Sequence, residues 1–244
     1  MKYLGGKQRL GKHLAPVVQS YANETDGYLE PFCGSLGVMK HITLPNRTAA
    51  DYHPDLIQLW SEVQANTFEC PESISEEQYL AAKQLPSPSA MKAFVGFGMS
   101  FGGRFFGAYS QKYIGDKKED FCKEMVHSIQ RTRPLIQNVQ FRLSDYRDHV
   151  PVNKLIYCDP PYAQTRYPIK YRRDVKHYDK FDSTVFWDVM REWSKHNVVL
   201  ISETTAPPDF VEVWRAPKTR SASHSKNTVG MVDAVEKLFK KIDV

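Results

Sequence analysis

Leu10, Leu14, Val17, Val18 and Tyr21 recur at spacings of three and four, which predicts an amphipathic helix just after the Gly5-Gly6 turn. A short apolar run over residues 28–32, bounded by Gly27 and Pro31, predicts a buried strand. A second strand is expected over 48–51, followed by a helix carrying Leu56, Leu59, Trp60 and Val63. The strand pattern returns at 139–143, 155–158 and 198–202, with a helix over 183–195 before the last of these. Two further strands are expected at 210–214 and 235–239. Between 69 and 133 the pattern is helical and broken by Pro71, Pro86 and Pro88, and it contains a glycine- and aromatic-rich stretch over 100–113.

Strands alternating with helices imply an α/β fold with a mostly parallel sheet covered on both faces. The helical middle reads as an insertion, which divides the chain into 1–60 plus 134–244 and an inserted lobe, 61–133. The chain has 244 residues, 41% of them hydrophobic and 12% aromatic, which suits one sizeable core and not a disordered chain. A net charge of +5 permits a nucleic-acid partner without requiring one. The four cysteines, Cys33, Cys70, Cys122 and Cys158, form no Cys-x-x-Cys pair, so neither a zinc site nor a disulfide framework is expected. No apolar stretch is long enough for a membrane span, and charges occupy the N-terminus where a signal peptide needs its apolar core. A cytoplasmic protein is the expectation.

The sharpest chemical signal is Leu155-Ile156-Tyr157-Cys158-Asp159-Pro160-Pro161-Tyr162. A buried strand ends in an acid, two prolines and an aromatic, and ligands in such sheets sit beyond the carboxyl ends of the strands. Prolines carry no N–H, so the turn presents carbonyl acceptors. Asp159 adds an ionised acceptor and Tyr162 a flat face. Together they suit an amino group on an aromatic base: two acceptors hold its hydrogens and favour the pyramidal nitrogen that attack requires. The alternative is a proline-stiffened turn after a core strand.

Four weaker signals surround it. Glu30-Pro31-Phe32-Cys33-Gly34-Ser35-Leu36-Gly37 takes a strand through a glycine turn, where Gly34 and Gly37 would let a ligand approach the backbone, or forms a plain tight turn. It lacks Gly-x-Gly-x-x-Gly, which disfavours a dinucleotide pyrophosphate, whereas S-adenosylmethionine needs no phosphate cradle. Asp51, ending the next strand, can accept from ribose hydroxyls or can cap a helix. Tyr3-Leu4-Gly5-Gly6-Lys7 can fold over a ligand carboxylate or form a plain turn. Ser144-Asp145-Tyr146 follows another strand and offers an acid to an adenine amino group, or is an ordinary loop. Arg166, Lys170, Arg172, Arg173 and Lys176, interleaved with tyrosines directly after Tyr162, suit a phosphate backbone and unstacked bases, the alternative being a solvated surface. Arg104 and Lys112 in the middle lobe are candidates for base edges.

Taken together these elements resemble the Dam-like (alpha-group) N6-adenine-specific DNA methyltransferases, over nearly the whole chain. Tyr3, Gly6 and Lys7 match the family's N-terminal Gly-Gly-Lys element. Pro31, Phe32, Gly34, Ser35 and Gly37 match its cofactor loop, Asp51 its ribose acid, and Asp145-Tyr146 its adenine-binding element. Asp159, Pro160, Pro161 and Tyr162 match its catalytic Asp-Pro-Pro-Tyr. The chain departs from the family's Phe-x-Gly-x-Gly at Leu36, with Gly37 one place later. The resemblance implies a Rossmann-like S-adenosylmethionine-dependent methyltransferase sheet ending in a reversed β-hairpin, with a helical target-recognition insertion. It further implies S-adenosylmethionine as cofactor, double-stranded DNA as partner, base flipping and no metal. The alternatives are N4-cytosine methylation, an RNA substrate, or a catalytically silent DNA-binding protein. Extrusion of a base costs a few kcal/mol and one aromatic stack returns roughly 1–3 kcal/mol. Tyr162→Ala is therefore expected to lower turnover more than cofactor affinity; an equal fall in both would remove the stacking role.

Overall fold

The computed structural model describes residues 1–111, 113–114, 117–118, 120–161, 181–217 and 235–242. Its main sheet is built from β1 (Tyr28–Glu30), β2 (Arg47–Asp51), β5 (Val139–Leu143), β6 (Leu155–Cys158), β7 (Val198–Ser202), β8 (Phe210–Pro217) and β9 (Val235–Lys241). Two short strands, β3 (Tyr113–Ile114) and β4 (Lys117–Lys118), pair as a separate antiparallel hairpin. Across the main sheet the order is β5-β2-β1-β6-β7-β9-β8. β9 runs antiparallel to both neighbours, and the pairings among β5, β2, β1, β6 and β7 are parallel. Chain connections run outward in opposite directions from the β1–β6 pair, which creates a crevice at the carboxyl ends of these two strands.

The helices are α1 (Gly11–Gln19), α2 (Pro54–Ala65), α3 (Glu76–Lys83), α4 (Ala90–Gly98), α5 (Phe121–Thr132) and α6 (Ser183–Trp193). Their starts follow from local chemistry. Proline opens α2, where no N–H is needed. Ser75 and Gln78 form a reciprocal capping box on α3. Ser89, Asp120 and Asp182 accept backbone N–H groups at the starts of α4, α5 and α6. Asn66 ends α2 in the left-handed conformation.

Alternation along the strands divides the core in two. Tyr28, Leu155, Tyr157 and Leu200 face a cluster shared with α1 and α2, whereas Leu29, Ile156, Cys158 and Ile201 face α6 through Phe186, Trp187 and Met190. All four residues of β6 are buried, as expected of a central parallel strand. Phe94, Phe97, Met125 and Ile129 of the middle helices belong to the same cluster as Leu14, Leu56 and Trp60. The helices between β2 and β5 thus share the sheet's core. The strand expected over 28–32 stops at Glu30, where Pro31 cannot continue the ladder.

Leu36 explains the irregular glycine pattern. It adopts φ +56°, the left-handed conformation that favours glycine, yet its side chain is wholly buried. Backbone strain of about 1–2 kcal/mol is offset by apolar burial worth roughly 1.5–3 kcal/mol. Both Leu36→Ala and Leu36→Gly should therefore lower stability, by roughly 2–5 kcal/mol for the lost packing. Glycine should nevertheless be the better of the two by about 1 kcal/mol, the reverse of a helical site. Denaturant melts of both variants check this, and alanine proving the more stable would refute the strain.

Candidate active site at the carboxyl edge of the sheet

Parallel strands deliver their following loops to one edge, and here four such loops line a single cleft of about 2090 Å³. Its walls include Pro31, Phe32, Gly34 and Ser35 after β1, Asp51 at the end of β2, Asp145 and Tyr146 after β5, and Asp159, Pro160 and Pro161 after β6. Tyr3, Gly6, Lys7, Gly37 and Arg104 line the same cleft. The space exceeds the 300–1,000 Å³ usual for one small ligand.

Lys7 organises the floor. Its ammonium donates to Asp159 Oδ1 at 2.6 Å and lies 3.4 Å from Glu236 Oε1 on β9 and 3.4 Å from the Gly5 carbonyl. Lys7 is 8% exposed, Asp159 18% and Glu236 1%. Burial opposes the lysine's charge, but the two carboxylates outweigh it and raise its pKa above the ordinary value. Lys7, expected over a ligand carboxylate, thus lies in this structure on the catalytic candidate itself. Behind it, Tyr28 donates its hydroxyl to Glu30 Oε1 at 2.6 Å, both groups buried. Burial pushes the Glu30 carboxyl up to about 8, against the Tyr28 hydrogen bond and with the Asp159 charge, so at neutral pH it is mostly protonated. Tyr157, also buried, shares a hydrogen bond of 2.8 Å with Ser202.

Asp51 shapes the turn after β1. Its carboxylate accepts from Gly34 N at 2.9 Å and from His53 N at 3.0 Å, while Gly34 O accepts from the Trp60 indole at 2.9 Å. The close approach that Gly34 and Gly37 permit is to the protein's own N-terminal segment. A Cβ on Gly34, at φ +47°, would stand 3.0 Å from the Tyr3 ring, and one on Gly37 would stand 2.9 Å from the Lys7 backbone. Tyr3 also packs on Phe97, with ring centroids 5.0 Å apart. His53 is buried between Phe97 and Phe105, both ring nitrogens without a hydrogen-bond partner among the described residues, and burial depresses its pKa to about 4.

The opposite wall is aromatic. Phe32 lies 5.1 Å from Tyr146 and 5.9 Å from Phe186 between centroids, with Phe181 beside them. Asp145 accepts from Arg147 N, Nε and Nη2 at 2.8–2.9 Å, and that grip holds its carboxyl below the usual range. Tyr162, Lys112, Arg166, Lys170, Arg172, Arg173 and Lys176 lie outside the described residues.

Glu236 escaped the sequence reading, although its signal was legible. Period-two alternation along β9 puts it on the face of Leu238, so an acid points inward in a core strand. His53 escaped as well, because nothing local distinguishes a buried histidine from an exposed one.

The reversed β9 between β7 and β8, with a crevice beyond β1 and β6, defines a Rossmann-like α/β sheet with a reversed final hairpin. Within it, residues 3–90 match the family model of D12 class N6 adenine-specific DNA methyltransferases. The chain is similar to a DNA adenine methylase of Vibrio cholerae, 25% identical over 192 residues, which is 67% of this chain and 64% of that protein. A DNA adenine methylase of Haemophilus influenzae is 26% identical over 190 residues, covering 67% and 63%. The chain thus spans slightly under two thirds of the length of these relatives. A solved rRNA methyltransferase of Streptomyces viridochromogenes aligns with 94% of this chain and 84% of its own, at 11% identity and a TM-score of 0.37.

The raised pKa of Glu30 has a measurable consequence. A carboxyl that holds its proton in the fold and releases it on unfolding loses stability for the native state as pH rises from about 4.5 to about 8. Glu30→Gln removes that slope, so the variant's melting temperature should fall less than the parent's across this window. Parallel pH dependences for the two proteins would show that Glu30 ionises normally.

Proposed function

We propose that this protein is an S-adenosylmethionine-dependent DNA methyltransferase acting on the N6 amino group of adenine, with the target base extruded into the cleft. The observation that carries the reading is Asp159: a carboxylate at the carboxyl end of a fully buried central strand, gripped at Oδ1 by Lys7 and followed by two prolines on the cleft wall.

The donor set fits the cofactor. Asp51, Asp145, Asp159, Asp182 and Glu236 line the cleft, and Lys7, the cation at their centre, already holds carboxylates. Such a floor suits a cationic ligand and is a poor cradle for a pyrophosphate. Asp51 would hold the ribose, and Phe32, Tyr146 and Phe181 would flank the adenine ring. Tyr3, Gly6, Ser35 and Gly37 would close the methionine end. When bound, S-adenosylmethionine supplies an electrophilic methyl group.

The residues supply position and charge. Asp159 and the carbonyls of its proline turn accept the two amino hydrogens and direct the nitrogen lone pair toward the methyl group. Lys7 holds Asp159 in place through Oδ1, so the carboxylate is positioned as an acceptor. The nitrogen becomes cationic on methylation, and the acid-rich floor favours that charge before the proton leaves to solvent. Alignment of two reactants contributes roughly 7–11 kcal/mol in well-oriented systems. The lobe at 61–133, with Arg104 on the cleft wall, would read the DNA site, and Tyr162 would stack on the extruded base.

The test is transfer of labelled methyl from S-adenosylmethionine to unmethylated duplex DNA, followed by digestion to nucleosides. Label is expected in methyladenosine. Asp159→Asn, which keeps the side-chain shape and leaves Glu236 to pair Lys7, should lower the rate by about 10²–10³-fold, the scale set by loss of a key transition-state hydrogen-bond partner. Label in methylcytidine would correct the base; labelled RNA but not DNA would correct the substrate; no transfer with cofactor bound would leave a silent binding protein.

A further inference from the structure

The cleft is electrostatically two-sided. Its floor is acidic, but the wall built from α1, the 3-10 turn at Met39–His41 and the face of α5 carries Arg9, His13, Lys40, His41, His127 and Arg131. His127 and Arg131, four residues apart, share one face of α5. Lys40 is half-buried, and its ammonium donates to the neutral Gln8 side chain. Among the described residues, neither Lys40 nor Arg131, nor their neighbour Lys12, forms an ion pair with a carboxylate. Glu124, on the same helix, is taken by Lys2 at 2.9 Å. Crowding is felt within the group: burial and the Arg131 charge depress the Lys40 pKa, and burial with Lys40 and Lys12 depresses that of His41.

Cations held close together, partly desolvated and without counter-acid, are repulsive in the free protein. The arrangement is relieved by an anion with several charges in a row. From the unneutralised cations on this wall we infer that Lys40 and Arg131, flanked by Lys12 and Arg9, form a track for the phosphate backbone of the nucleic-acid substrate, beside the base-holding floor. The inference rests on the proposed function and adds a surface to it: the track contacts the flanking backbone, reads no base, and is distinct from Arg104, Lys112 and the cations at 166–176. A nucleic-acid duplex is favoured over a single small anion because the cations come from three separate segments lining a cleft of about 2090 Å³, far more space than one small anion fills.

Each phosphate neutralised adds about 0.9 to the slope of log affinity against log salt for duplex DNA. The experiment measures binding of a short fluorescent duplex over a salt series for the parent protein, Lys40→Gln, Arg131→Gln, the double variant, and Lys195→Gln as a control that removes the same charge from the far end of α6. Each of the two track variants should reduce the slope by about one and the double variant by about two, with weakening that is uniform across DNA sequences. Lys195→Gln should leave the slope unchanged, and S-adenosylmethionine affinity by calorimetry should stay within about twofold in all variants, since no base or cofactor contact is removed. A parent-like slope in the double variant would overturn the track. A slope lowered equally by Lys195→Gln would reduce it to net charge. A parent protein that binds duplex DNA without salt dependence would instead overturn the DNA reading itself.

Discussion

The buried ammonium of Lys7 between Asp159 and Glu236 is the contact on which the rest of the site depends. It joins three segments remote in sequence: the N-terminal strap, the turn after β6 and the start of β9. Deleting one member of a buried pair strands the other's charge, typically at a cost of 3–5 kcal/mol, and this makes the geometry steep. The sheet order makes the contact possible, because β9 enters two places from β6, with β7 between them. The carboxyl edge of the sheet is thereby tied by charge at one point while its walls are held by packing.

That strap has a second dependence. Tyr3 lies on Gly34 and the Lys7 backbone lies on Gly37, so the turn after β1 and the N-terminus fit only as a pair. Asp51 reinforces the turn from below through the Gly34 N–H. The left-handed position that completes it is filled by a leucine, which places a core side chain where a glycine would leave a gap. Strain and burial are traded at a single residue, and the turn keeps its shape without the usual second glycine.

Charge is partitioned in the same economical way. Carboxylates gather at the carboxyl edge of the strands, on the floor proposed to hold the cationic cofactor. Lysine and arginine collect on α1, α5 and the turn between β1 and β2, where a polyanion can lie. A mild net charge of +5 conceals this division, since the two faces nearly cancel in the sum.

Much of this was legible in the residues alone. Periodicity located the strands and helices, because burial on one face or both leaves a pattern of two or near four that needs no partner to be seen. Asp159 with its two prolines stood out because backbone chemistry is local: a proline lacks its N–H whatever surrounds it. Leu36 was visible as a misplaced residue, but not its left-handed backbone or its buried side chain, which depend on the core beneath it. Nor could sequence separate the two uses of Gly34 and Gly37, since a gap above a glycine can admit a ligand or the protein's own chain. Lys7 shows the same limit. A lysine beside two glycines is chemically free to meet any anion, and only the sheet order, which carries Asp159 and Glu236 to within reach of it, decided which anions it meets.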